Sequence, residues 1–469
     1  MAFETTRLKR AQRRLIFMGM FWVTGMLFGC MPTLPDGDRL TIVCPAECDI
    51  TFANNTRGLP LNHLLKSTVA SEREYRELKR FIRIDETITG RPLYSGNQVR
   101  LLIDGPNAYE AMFEAMRKAT HHIHLETFIL DDEEMGQKFA DILIERRQAG
   151  VEVRMVYDAF GILNAEEAFF NRLREHGIEL YKYNPLDPTE NLQVWQINER
   201  HHRKILVVDG RVAFAGGMNI SSVYTHSSFS PPMGKSKLKD RWRDTHLRLD
   251  GPVAAELQTL FLTLWAKLHD TAPLTGSEYF PGLPPVGSKL VRMMVSAAGD
   301  QEVDIYKVFL AVFHQAESRI WITQGYFSPD QRFLNVLKNA ARRGADVRLL
   351  LPGATDSWIT INSSRAHYSE LLKAGVKIFE RKDALQHAKS AVVDGIWSTV
   401  GSSNLDYRSF LHANEANAII YGSEFGSRME DVFRADQKKN VEITLENWKK
   451  RSLIQRSAEV LGSMFDYWL

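Results

Sequence analysis

Cysteine is scarce: the 469 residues contain three, Cys30, Cys44 and Cys48, so neither a disulfide framework nor a Cys-rich zinc site can support the rest of the chain. An excess of one charge is also missing. Lys+Arg 59 against Asp+Glu 57 leaves a formal +2, far from the surplus of a dedicated nucleic-acid coat, so any anionic partner must be met locally. With 44% apolar and 25% charged residues, the composition is that of an ordinary globular protein and excludes a disordered, collagenous or polytopic membrane chain. The length allows about three domains of ~150 residues, or two large ones with an appendage.

Residues 1–35 read as a targeting segment. Arg7, Lys9, Arg10, Arg13 and Arg14 directly precede an uncharged run, residues 15–34 (LIFMGMFWVTGMLFGCMPTL), which is a basic region followed by an apolar one. Leu27-Phe28-Gly29-Cys30 resembles the lipobox of bacterial lipoproteins, in which the cysteine is lipidated. The other reading is an uncleaved anchor, because ~20 apolar residues span a bilayer and Arg13 and Arg14 would stay on the cytoplasmic side. Either reading predicts a membrane-associated protein of a bacterial cell envelope, its body on the periplasmic or outer side. Cys44 and Cys48 would then meet an oxidising compartment, as a pair or as two thiols. A buried helix of a cytosolic protein is the plain alternative.

Residues 36–97 carry turn signals and one expected helix around 71–83, and read as a cap. From Val99 apolar strand-like runs (99–103, 123–129, 151–157, 205–208, 212–215) alternate with amphipathic stretches (107–118, 135–148), which predicts an α/β fold with a largely parallel sheet. The body occurs twice. IHLETF at 123–128, a helix, then RRQAGVEVRM at 146–155 is answered by IWITQGYF at 320–327, a helix, then ARRGADVRLL at 341–350. Pro273, Pro281, Pro284 and Pro285 with Gly276, Gly282 and Gly287 make 273–287 the expected linker. Two related halves, 98–272 and 288–469, follow.

Each half holds the same sparse signature. The first has His202, Lys204, Asp209, Gly216 and Asn219; the second has His387, Lys389, Asp394, Gly401 and Asn404, at identical offsets. Five fixed residues at average usage recur by chance in roughly one window per several million, so the duplication is real. Strand alternation predicts that each histidine and lysine share a face. Glycine admits close backbone approach and each asparagine can donate its amide to an anionic oxygen. Two facing sets form a pocket of two imidazoles, two ammoniums and two amides, suited to a phosphodiester.

The duplicated HxKxxxxD with GxxN resembles the phospholipase D superfamily. The words WRDTH (242–246), GYFSPD (325–330), LLLPGATD (349–356) and GSSNLDYRS (401–409) resemble its bacterial cardiolipin synthase branch, over about 99–469. The chain departs from that branch at its N-terminus and in the insertion 221–240. The chemistry, in agreement with the resemblance, predicts attack by one neutral histidine to give a phosphohistidine, with the other protonating the departing alcohol and then deprotonating an acceptor hydroxyl. His202 is assigned as nucleophile and His387 as acid/base. Lys204, Lys389, Asn219 and Asn404 would neutralise the equatorial oxygens. The resemblance further implies Asp244 as the acceptor steadying the imidazole of the first half and Glu415 that of the second. Asp209 and Asp394 are either part of the site or turn residues outside it, Asp-Gly being a turn signal.

The expected function is phosphatidyl transfer from phosphatidylglycerol to another phospholipid. Hydrolysis to phosphatidic acid is the alternative, and a phosphodiesterase or nuclease a more distant one. The partners are an anionic phospholipid and a membrane surface, without nucleic acid, metal or cofactor; the oligomeric state is left open. His121, His122 and His124 with Glu126 look metal-like but lack a complementary set, and read as packing or surface residues. Gly234-Lys235-Ser236 ends like a phosphate-binding loop, yet Phe229 stands where its first glycine is needed. Lys235, Lys237, Lys239, Arg241 and Arg243 form either a collar for anionic headgroups or a solvated loop. The stretch from Trp448, with Lys449, Lys450, Arg451 and Arg456 among Leu453, Ile454, Leu461, Phe465 and Trp468, lies on a membrane interface or packs on its own domain.

Overall fold

The computed structural model describes residues 34, 61–187, 198–229, 241–299, 303–355 and 357–469. The apolar head up to residue 33, all three cysteines, and Lys235, Lys237 and Lys239 lie outside the described residues. No described helix is long and apolar enough to cross a membrane.

The first repeat contributes β1 (Tyr94–Ile103), β2 (His122–Thr127), β3 (Glu152–Asp158), β4 (Glu179–Tyr183), β5 (Arg200–His201), β6 (Ile205–Val208), β7 (Val212–Gly216), β8 (Trp242–Arg243) and β9 (Thr245–Asp250). The second contributes β10 (Lys289–Ser296), β11 (Arg319–Thr323), β12 (Phe327–Ser328), β13 (Asp346–Pro352), β14 (Lys377–Arg381), β15 (Leu385–Gln386), β16 (Ser390–Val393), β17 (Trp397–Gly401), β18 (Leu405–Asp406), β19 (Ala413–Tyr421) and β20 (Asn440–Ile443). One sheet runs through both repeats in the order β20-β14-β13-β11-β16-β17-β19-β10-β1-β9-β7-β6-β2-β3-β4. The two related α/β halves are therefore fused edge to edge, through the antiparallel pair β1 and β10.

Along that order pairing is parallel only in β2-β3-β4 and β11-β13-β14. The other neighbours in that order are antiparallel, so the expected largely parallel sheet is corrected to a mixed one. Part of the cause is local. Asp209 and Asp394 adopt left-handed φ of 54° and 51°, each followed by a left-handed glycine, and such two-residue turns return the chain as a hairpin that can only pair antiparallel. Strands β2, β6 and β16 are buried along their whole length, as befits strands covered on both faces.

A central apolar layer is shared by the repeats: Val207, Ala215 and Leu249 of the first pack with Met293, Val400 and Ile420 of the second. The helix expected at 71–83 runs Glu72–Thr89; the Ser71 side chain accepts from the Glu74 amide at its start, and left-handed Gly90 ends it. It belongs to the second repeat's core, where Phe81 and Ile82 join Phe309 and Trp397. Its buried Asp85 accepts from Trp397 Nε1 at 2.9 Å and the Tyr421 hydroxyl at 2.6 Å. The stretch 273–287 has neither helix nor strand and follows the first repeat, the Val286 amide donating to the Gly96 carbonyl at 2.8 Å.

Candidate active site

Two very short strands position the histidines. β5 pairs in parallel with the start of β19, His201 opposite Asn414, so the next residues in register are His202 and Glu415. β15 pairs in parallel with β8, Gln386 opposite Arg243, and the next pair is His387 and Asp244. The backbone continues the pattern: the His202 amide donates to the Asn414 carbonyl at 3.0 Å and the His387 amide to the Arg243 carbonyl at 2.8 Å. The side chains then meet, His202 Nδ1 to Glu415 Oε1 at 2.8 Å and His387 Nδ1 to Asp244 Oδ2 at 2.6 Å. This corrects the expectation that Asp244 serves the first half and Glu415 the second. Each histidine is held by the other repeat's carboxylate, because β5 and β8 find their backbone partners only across the interface.

Both carboxylates are fully buried and braced. Asp244 Oδ1 accepts from the Thr245 amide at 2.7 Å, and Glu415 Oε2 is hydrogen-bonded by the Ser402 hydroxyl. A Cβ at Gly217 would lie 2.2 Å from Asp244 Oδ1, and one at Gly401 2.0 Å from Asn417 Oδ1, so both sites require glycine. Residues 202–204 bridge β5 and β6 outside the ladder, but the expected neighbourhood forms. Lys204 Nζ donates to the His202 carbonyl and Lys389 Nζ to the His387 carbonyl, each at 2.6 Å. Asn219 and Asn404 are buried. Asn219 Oδ1 accepts from the Ile129 amide at 3.1 Å while its Nδ2 faces the Tyr224 hydroxyl at 3.4 Å; Asn404 Oδ1 has no partner among the described residues.

Asp209 and Asp394 are not brought to the imidazoles, a second correction. Asp209 accepts from the amides of Thr120, His121 and His122 at 2.8–3.0 Å, and Asp394 from those of Glu317, Ser318 and Arg319 at 2.8–2.9 Å. Each pins the start of the neighbouring strand. The reason is reach: seven residues beyond the histidine, at ~3.3 Å per extended residue, the chain has left the cleft. Those amide hydrogen bonds overcome burial and hold the Asp209 carboxyl below its ordinary range.

Aromatic rings line the cleft without having been singled out from sequence. Phe128 meets His202 edge-on at 5.0 Å; around His387 stand Trp242 at 4.8 Å, Tyr224 at 6.1 Å and Tyr326 at 6.1 Å. The Tyr224 hydroxyl is also 3.1 Å from His387 Nδ1. Trp242 and Tyr326 stand inside the words WRDTH and GYFSPD, which could have flagged them; Tyr224 sits in the insertion and has no such signal. The described end of the basic run is buried: Arg241 donates to the Ser227 carbonyl at 3.1 Å, and Arg243 pairs with Asp436 at 2.7 Å, which also holds Arg381 at 2.8 Å. His122 stacks on His124 at 4.5 Å and His124 on Phe261 at 4.3 Å; no group of His, Cys, Asp or Glu among the described residues is suited to a metal.

Burial pushes His202 down to about 3, against the pull of Glu415 and with Lys204 and Lys389 adding to the fall. Burial and then Lys389 push His387 to about 4, against Asp244. Burial opposes charge on both carboxylates as well, but the facing histidine, with Lys389 for Asp244 and Lys204 for Glu415, holds each below the ordinary range. At neutral pH the imidazoles are thus uncharged, with Nδ1 committed and Nε2 presenting a lone pair. A phosphodiester entering between them adds negative charge and raises the proton affinity of both histidines and of Lys204, which burial keeps well below its usual value. The arrangement suits nucleophilic attack by one imidazole with proton transfer by the other.

The family model described as "Cardiolipin synthase, PLD-like domain" matches residues 112–229 and 309–437. The chain is 36% identical over 376 residues to a cardiolipin synthase of Geobacillus sp. (strain WCH70), covering 80% of this chain and 72% of that one. It is 34% identical over 377 residues to cardiolipin synthase 1 of Bacillus anthracis, with 79% and 72% covered. Among solved structures it is similar in fold to the phosphatidylserine synthase of Haemophilus influenzae Rd KW20, with a TM-score of 0.61 at 14% identity over 82% of this chain and 97% of that one.

Proposed function

Because the chain belongs to the cardiolipin synthase family of phospholipase D-like proteins, we propose that it moves a phosphatidyl group from phosphatidylglycerol to a headgroup hydroxyl of another phospholipid. The observation that carries this reading is the pair of histidines at one interface, each with Nδ1 on a buried carboxylate of the other repeat. With the phosphodiester bound and His387 thereby protonated on Nε2 as well, His202 Nε2 attacks phosphorus as the bond to glycerol breaks, and His387 Nε2 gives that proton to the departing oxygen. The acceptor hydroxyl then returns a proton to His387 while its oxygen displaces His202 from phosphorus, so atoms and charge balance over the cycle. Lys204, Lys389 and the amide of Asn404 face the charge that develops on the phosphoryl oxygens.

The proposed contact with the bilayer is the C-terminal helix, Leu453–Ser463. Leu453, Ile454, Val460, Leu461 and the following Met464 are 77%, 83%, 64%, 49% and 72% exposed, and their spacing puts them on one face. The inward face is Glu459 and Gly462. A Cβ at Gly462 would come 2.5 Å from the Ser363 amide nitrogen, so the glycine lets the helix dock by its small and polar side. An apolar stripe turned outward beside Lys449, Lys450 and Arg456 fits the boundary of an anionic bilayer. The N-terminal apolar segment is proposed as the second attachment, by a membrane anchor or a lipid on Cys30, with the body outside the cytoplasm.

Mass spectrometry of lipids after incubating the purified protein with phosphatidylglycerol vesicles tests the reading, with His202→Ala as control. Cardiolipin and free glycerol, absent with the variant, are expected. Phosphatidic acid alone would replace transfer by hydrolysis, and no lipid turnover would refute the reading.

A further inference from the structure

Linked to His202 through two aromatic rings lies a group of donors, two arginines and a histidine, that the mechanism leaves unused. Arg408 stands over the Phe160 ring, 5.6 Å from its centroid; Phe160 stacks on Phe128 at 6.4 Å, and Phe128 is the ring against His202. The backbone ties two further donors to it: the His412 amide donates to the Arg408 carbonyl at 2.9 Å and the Arg200 amide to the His412 carbonyl at 2.8 Å. Arg200 spends its Nη1 on Asp158 at 3.1 Å and the Asn184 carbonyl at 3.2 Å. Arg408 Nη2, Arg200 Nε and Nη2, and His412 Nε2 are buried with no hydrogen-bond partner among the described residues. Burial and the charge of Arg200 lower the proton affinity of Arg408, with Asp158, Asp406 and Tyr326 opposing. Burial and the charge of Arg408 in turn push His412 to about 4. The three groups therefore feel one another.

Burying guanidinium groups with unmet donors is costly unless an anion satisfies them. A phosphodiester is the natural partner of an arginine fork. The donor, phosphatidylglycerol, has a single phosphate, and that is the reacting one, between His202 and His387. An acceptor phospholipid brings a second phosphate, one headgroup away from the hydroxyl that reacts, whereas water or a simple alcohol brings none.

We infer that Arg408, backed by Arg200 and His412, holds the non-reacting phosphodiester of the acceptor lipid and so selects a phospholipid over a neutral alcohol as acceptor. This rests on the phosphatidyltransferase reading above. In the second half-reaction the guanidinium fixes the acceptor's phosphate while its headgroup hydroxyl approaches the phosphohistidine, giving its proton to His387 as the P–N bond breaks.

The test gives the full chain phosphatidylglycerol vesicles with added ethanol and measures cardiolipin against phosphatidylethanol, for wild type, Arg408→Gln and Arg408→Lys. Loss of a charge-assisted contact should lower the cardiolipin-to-phosphatidylethanol ratio by about 10-fold or more in Arg408→Gln, with Arg408→Lys between the two. An unchanged ratio, with both products falling together, would mean that Arg408 serves the donor or the fold and would overturn the inference. Arg408→Lys keeps the test decisive if the glutamine variant folds poorly. Failure of wild type to make either product would instead refute the phosphatidyltransferase reading.

Discussion

The two carboxylates should respond unequally to neutralisation, and the difference can be worked out from their hydrogen bonds. In Asp244→Asn the side-chain oxygen must stay on the Thr245 amide, now 2.7 Å from Asp244 Oδ1, because that neighbour is a donor. The amide nitrogen is then left facing His387 Nδ1, 2.6 Å from the present Oδ2, and donates where the carboxylate accepted. The ring proton moves to Nε2, so His387 has no lone pair in the cleft with which to take the acceptor's proton. Trapping a catalytic imidazole in the wrong tautomer costs on the order of 10⁴ in turnover. In Glu415→Gln the second neighbour is the Ser402 hydroxyl, which can accept as well as donate. The glutamine can therefore keep its oxygen on His202 and lose only the charge, a weakening worth roughly 1.5 kcal/mol, or about tenfold. Single-turnover assays on phosphatidylglycerol in mixed micelles read both. With a nitrophenyl phosphodiester, whose leaving group needs no acid, Asp244→Asn should release one nitrophenolate per protein and accumulate phosphohistidine on His202. Equal losses in the two variants would refute the tautomer argument, and phosphohistidine appearing on His387 would reverse the assigned roles.

Two further outcomes are expected. His367, 3.1 Å from Asp466 and 3.7 Å from Glu370, has its pKa raised to about 9: burial works against the shift, and the hydrogen bonds from the two carboxylates prevail. Its unfolded value is about 6.5, so its contribution is fully present below that pH and is lost as pH rises through about 9, with a ceiling of about 3 kcal/mol. Thermal melts from pH 6 to 10 should show this loss in the wild type and a flatter profile in His367→Ala; equal slopes would rule out the clamp. Replacing Ile454 and Leu461 by serine removes two exposed apolar side chains, each worth up to about 1.5–3 kcal/mol on burial. Cosedimentation with phosphatidylglycerol vesicles should fall at least about tenfold, and undiminished binding would remove this helix as the bilayer contact.

The sequence exposed whatever repeats along one chain and concealed whatever is completed between its halves. The offsets of His202, Lys204 and Asn219 to their counterparts are internal to a repeat, and the apolar runs of β6 and β16 need no partner to be recognised. The Asp209-Gly210 and Asp394-Gly395 turns fix only the pairs β6-β7 and β16-β17; the other antiparallel neighbours, β1 with β9 and with β10 among them, join strands far apart in the chain, which no local pattern records. β5 and β8 are two residues long, too short for any period, yet they decide which carboxylate meets which histidine. Arg408 stands in the word GSSNLDYRS without any mark of its unmet donors, since an orphaned nitrogen is a property of packing. The exchange of carboxylates has a consequence for the duplication itself. A single repeat folded alone would present His202 without Glu415, or His387 without Asp244, and neither imidazole would have its tautomer fixed. The chemistry therefore belongs to the interface, and what distinguishes the two histidines is their surroundings: among the described residues His202 has one ring against it and its side chain is 14% exposed, whereas His387 stands among Trp242, Tyr224 and Tyr326 and is 5% exposed. The more open imidazole leaves more room for a phosphorus centre along the line of attack, which supports the proposal that gives His202 the bond and His387 the proton.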